Sequence, residues 1–256
     1  MTPIQRIMKK LLGLILATTL SATAFSQVDT GFSSPAPAPK KWSTLNLNNR
    51  ANDHFMIQLS VDNWANKTDT IQTKGLSRGF NMYLMYDMPF KTNPHFSIAA
   101  GIGVSTSNIY FEETYIDITG RNKNVLDFTD VGDTTHFKKY KLTTAYLEVP
   151  VELRWLANPE NSNRSWKFAL GVKVGTLLSA TTKGKTQLNG SDQVSLNGTW
   201  KEKSKRFFNG TRISGTARVG YGNFSLFGSY QLNNFIKEGS GPNIRPFQIG
   251  LTISGL

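Results

Sequence analysis

The chain has no cysteine among its 256 residues. That excludes a disulfide framework, a thiolate metal site and a lipid-modified cysteine. Beyond the N-terminus no stretch approaches the ~18 uninterrupted apolar residues of a membrane helix, although about 200 residues remain for one domain. Histidine is scarce: His54, His95 and His136 are scattered, with no nearby serine and acid in a nucleophilic arrangement, so no enzyme activity is expected. No cofactor and no metal site are expected either, because the carboxylates of residues 111–140 lack the Asp-x-Asp-x-Asp-Gly spacing that organises calcium ligands. Gly184-Lys185-Thr186 resembles the end of a phosphate loop, but Ser179 stands where its first glycine would be. Acidic residues are few, 17 against 29 lysines and arginines, for a formal charge of +12.

The chain does contain alternation. Phe247-Gln248-Ile249-Gly250-Leu251-Thr252-Ile253-Ser254 has an apolar residue at every second position, the pattern of a strand with one greasy and one wet face. Ahead of the alternating region, Arg6, Lys9 and Lys10 precede an apolar run from Leu11 to Leu20 and then small residues, the layout of a cleavable signal peptide over residues 1–26. Losing those three bases leaves +9, and export makes nucleic acid an unexpected partner and anionic lipid headgroups a natural one. Residues 27–50, with Ser33-Ser34-Pro35-Ala36-Pro37-Ala38-Pro39, are expected to form an extended, Pro-rich periplasmic tether.

From 51 to 256 eight strand segments are expected, at 54–64, 78–88, 95–110, 141–156, 166–180, 211–222, 224–236 and 245–256. Their apolar sets begin Phe55, Ile57, Leu59, Val61 and Phe80, Met82, Leu84, Tyr86, and recur on every segment. Connections alternate long and short, and aromatics flank the short ones: Phe90 and Phe96, Trp155 and Trp166, Tyr221 and Phe224. The fold class this implies is all-β: an eight-stranded antiparallel up-and-down transmembrane β-barrel with long loops outside and short turns in the periplasm.

Opposite the lipid face, Glu148, Glu152, Arg154, Lys167, Lys173, Arg212 and Arg218 form a candidate barrel-interior charge cluster. An eight-stranded barrel is narrow enough for side chains to fill, so a salt-bridged plug completed by groups such as Asp62 and Asp87 is expected. A continuous file of water would instead make a channel favouring anions. In residues 181–210 six bases face two acids, for +4, and Lys201, Lys203, Lys205 and Arg206 are a candidate lipopolysaccharide-binding set; residues 111–140 carry a net −2.

Tyr146-Leu147-Glu148-Val149-Pro150-Val151-Glu152-Leu153 resembles the Tyr-Leu-Glu-(Ile/Val)-Pro strand signature of the outer-membrane β-barrel domain proteins common in Bacteroidetes-type bacteria, often labelled porin family. The resemblance covers about residues 51–256, and the chain departs from it by ending Ser254-Gly255-Leu256 where an aromatic residue is usual. It implies a Gram-negative outer-membrane location and a family of varied roles. The expected role is structural or interactive, with lipid, lipopolysaccharide and envelope proteins as partners and a monomeric state. A narrow porin-like channel and a component of a secretion apparatus are the alternatives. Pro150, which cannot donate to a ladder, is expected to mark a bulge or bend.

Overall fold

The computed structural model describes residues 54–68, 71–120 and 123–255. The expected signal peptide and tether lie outside the described residues. The chain forms β1 (Phe55–Ala65), β2 (Arg78–Pro89), β3 (Phe96–Phe111), β4 (Thr114–Ile116), β5 (Phe128–Asp130), β6 (His136–Leu156), β7 (Trp166–Leu188), β8 (Val194–Lys203), β9 (Thr211–Tyr221), β10 (Phe224–Gln231) and β11 (Arg245–Ser254).

Eight of these close a barrel. Each pairs antiparallel with its neighbours in the order β1, β2, β3, β6, β7, β9, β10, β11, and β11 returns to β1 from Met56↔Ser254 to Ala65↔Arg245. Closure leaves no unpaired edge inside a bilayer, where a bare backbone amide has no water to bond. Alternation follows through the lipid-level part of every wall strand: Leu59, Leu84, Ile102, Leu153, Leu170, Val219, Leu226 and Leu251 face outward while their neighbours are buried or half-buried. The outward faces are those expected from the sequence.

One end of the barrel carries short turns. The tightest is Gly222-Asn223, where Gly222 takes φ 58° and a side chain would strike the Asn163 carbonyl. Trp155 meets Phe168 at 5.5 Å and Trp166 meets Tyr221 edge-on at 5.8 Å, an aromatic belt at this end. The other end carries the long connections, and they are more ordered than loops. β6 begins at His136 and β7 runs to Leu188, so these two strands continue well above the wall; β8 pairs with the top of β7, and β4 with β5 makes a small hairpin. β10 stops at Gln231, short of the expected 236, because Phe235 and Ile236 turn in to be buried.

The expected bulge at Pro150 is absent. Pro150 stays in register with Lys173, and on its other side the β3–β6 ladder skips Gly101 and Ile102 with the register unchanged from Ala100↔Val151 to Gly103↔Glu148. The missing donor therefore costs a rung rather than a shift. The irregularity falls higher, between Ala145 and Tyr146, where β7 carries one extra residue: Tyr146 pairs with Leu177 and Ala145 with Ser179. Outward positions on β7 thus switch from even to odd numbers past Leu178.

Candidate functional site

The seven charged residues expected inside all face the lumen, none more than 6% exposed. Cross-strand register explains how they meet. One ring of direct partners reads Tyr83, Gly103, Glu148, Gly175, Arg212, so a large residue alternates with glycine across five strands. The glycines leave the space through which Tyr83 and Arg212 reach Glu148; a methyl on Gly175 would lie 2.8 Å from Glu148 Cγ.

Glu148 is the hub of that ring. The Tyr83 hydroxyl donates to its Oε2 at 2.6 Å, Arg212 donates to its Oε1 through Nε at 2.7 Å and also through Nη2, and Lys173 Nζ stands 3.9 Å from Oε2. The Arg212 guanidinium lies over the Tyr146 ring at 4.1 Å, and its Nη2 donates to Ser105 Oγ at 2.7 Å. From Ser105 the network crosses the lumen through Asn81 to Gln58 and Gln248, and Gln248 donates to Asp62 at 3.0 Å. Ser60 and Ser107 also donate to Asp62.

The second hub, Glu152, lies four residues nearer the turn end on the same strand. Its Oε2 accepts from Arg154 Nε at 2.9 Å and Arg218 Nη2 at 3.0 Å. Arg154 also faces Asp87 at 3.6 Å, and Ser97 donates to Asp87 at 2.7 Å. Lys167 lines a small cavity with Arg154 and Arg218 at the same level. Among the described interior residues four carboxylates thus stand against five cations, close to the balance a buried charge cluster requires.

A lid of apolar side chains covers the network at the loop end. Trp64, Ile71, Phe111, Ile116, Phe208 and Phe235 belong to one buried cluster, with Trp64 and Phe111 centroids 5.4 Å apart and Phe208 and Phe235 5.0 Å apart. The Tyr140 hydroxyl donates to the Ile116 carbonyl at 2.9 Å and ties the β4–β5 hairpin down. Lys74 reaches across the rim to Glu112 at 2.5 Å, a hydrogen bond that raises the lysine's pKa. Sequence patterning does not signal this lid, because its members come from four connections and from strand ends.

The candidate lipopolysaccharide set is divided. Lys201 and Lys203 stand exposed on β8, whereas Lys205 donates to the Leu177 carbonyl at 3.4 Å. Arg206 crosses to the acidic connection, bonding Gly120 O at 3.0 Å and Asn124 at 3.1 Å. The three histidines lie apart. Nδ1 of His54, His95 and His136 donates to the carbonyls of Met85, Leu156 and Thr134 respectively, which fixes each ring to nearby backbone.

A family model described as outer membrane protein beta-barrel domain matches residues 43–254. No curated protein matches the sequence. Among solved structures the chain is similar to the crystal structure of Ail, the attachment invasion locus protein of Yersinia pestis, at 12% identity over 78% of this chain and 94% of that chain, with a TM-score of 0.34.

Proposed function

Since the chain belongs to the outer membrane protein beta-barrel domain family over residues 43–254, we propose that it is a sealed barrel whose work is done by what its loop end presents. The family sets the location as the outer membrane. On this reading the loop end is extracellular, the turn end periplasmic, and the protein acts as a monomer through lipid, lipopolysaccharide or envelope-protein contacts after signal-directed export.

The observation that carries this reading is the filled lumen. Glu148 holds Tyr83 and Arg212 from other strands, Glu152 holds Arg218 from β9 and Arg154 from its own strand, and the Trp64–Phe208–Phe235 lid lies above them. A conducting path needs continuous water, whereas here the two hubs are closed by side-chain hydrogen bonds across the lumen. The rival reading, a narrow anion path, draws on the one-cation excess inside the wall.

Planar-bilayer recording of the refolded protein distinguishes the two. A heat-modifiable, folded barrel with no steady openings is expected. Stable anion-selective steps that survive trimming of the loops would defeat the sealed-barrel reading.

A further inference from the structure

Above the lipid-facing band, the outer wall carries an unusual grouping of lysines. Lys141, Lys183 and Lys201 are direct cross-strand partners on β6, β7 and β8; Lys139 and Lys185 form the next rung, and Lys203 lies opposite Thr181 on the rung below. Direct partners share a face, so six ammonium groups crowd one surface of three adjacent strands. Like charges placed directly opposite destabilise a sheet, and among the described residues none of the six makes an ion pair.

The β7 bulge creates this arrangement. Without the extra residue at Leu178, Lys183 and Lys185 would point inward with Thr182 and Gly184 facing out; with it both lysines join Lys139 and Lys141. Lys141 is held in place by a 2.8 Å bond to Asn108 and by the Tyr110 ring at 5.6 Å, and Tyr110 lines a groove with the four lysines of β6 and β7.

Height completes the argument. Lys141 is six residues beyond Leu147, the last exposed leucine of β6, which is about 20 Å along the strand and about 15 Å along the membrane normal for a strand tilted by about 40°. Between them stand only Ala145 and Thr143 on the outer face. The lysines therefore stand above the last apolar positions of the wall, on the headgroup side of the boundary.

We infer that this face binds the phosphate groups of the outer-leaflet glycolipid, lipopolysaccharide, with Lys141, Lys183 and Lys201 as its central row. The inference rests on the outer orientation of the loop end proposed above. It moves the lipid contact from a loop tip to the barrel wall, and replaces Lys205 and Arg206 by Lys139, Lys141, Lys183 and Lys185. Phosphate oxygens between the rungs offset the lysine–lysine repulsion and bridge strands that otherwise repel.

The test compares the refolded full chain with a K141Q/K183Q/K201Q variant in phosphatidylcholine vesicles, with and without lipopolysaccharide. Binding of labelled lipopolysaccharide should weaken on the order of 100-fold in the variant. Without glycolipid the variant should unfold at the same temperature as the wild type or higher, and with it the order should reverse. Equal binding by both proteins overturns the site. An equal effect of inorganic phosphate would make it a free-anion site, and an equal effect of phosphatidylglycerol would reduce it to surface charge; either result also overturns it. A conducting barrel that keeps the lysine-dependent binding would instead fail only the sealed-barrel reading.

Discussion

Replacing Glu148 by glutamine tests the interior network at its hub. The side chain keeps its size and one acceptor oxygen, but Arg212 and Lys173 lose the anion they share and the Tyr83 hydroxyl loses a charged acceptor. Removing one partner of a buried pair costs about 3–5 kcal/mol, because the charge left behind remains desolvated. The surviving amide oxygen returns about 1 kcal/mol as a neutral hydrogen bond, so a loss of about 2–4 kcal/mol is expected. Tryptophan fluorescence of the refolded barrel in detergent, titrated with urea, should show a midpoint lower by about 1–2 M for an m-value of about 2 kcal/mol/M. Pairing Glu148→Gln with Arg212→Met should restore part of the loss, giving a coupling of about 2 kcal/mol in the double-mutant cycle. A shift under about 0.5 kcal/mol with no coupling would refute the reasoning, since only a well-hydrated pair is worth so little.

Two more changes probe packing. Gly175→Ala places a methyl 2.8 Å from Glu148 Cγ and should lower the temperature at which the heat-modifiable gel band disappears by at least several degrees; an unchanged transition would mean the ring can part at no cost. Phe208→Ala removes a side chain only 1% exposed from the lid and should cost about 3–5 kcal/mol. Limited proteolysis should then cut the loop end first, and a loss below about 1 kcal/mol would show that the lid is not packed as described.

The wall was legible in the sequence because its physics is one-dimensional. Phe247, Ile249 and Leu251 announce their face two residues at a time, and a charge such as Lys173 fixes parity against lipid. The interior list was legible for the same reason, down to Asp62 and Asp87. What escaped was partnership: Tyr83 follows the parity of its strand, but its bond to Glu148 depends on Gly103 lying between them, as the Arg212 bond depends on Gly175, across separate ladders. The strand extensions escaped too, because threonine and lysine above the membrane carry no apolar alternation. The bulge at Leu178 reversed the parity by which Lys183 and Lys185 would have been assigned, and Pro150, where the sequence points to a bulge, merely dropped a rung.

β6 supplies both interior glutamates and Arg154, while their other cations come from β7 and β9 behind it and the phenol and Asp87 from β2 ahead of it. A half-built wall ending before β6 would hold carboxylates and phenol without cations; one beginning after it would hold cations without anions, each costing about 2–4 kcal/mol near the bilayer midplane. The β1–β2 hairpin carries only acids inside and β7 with β9 only bases, so neither half balances its interior charge by itself. Insertion must therefore be concerted, with the sheet staying outside the hydrocarbon until its first and last strands can meet.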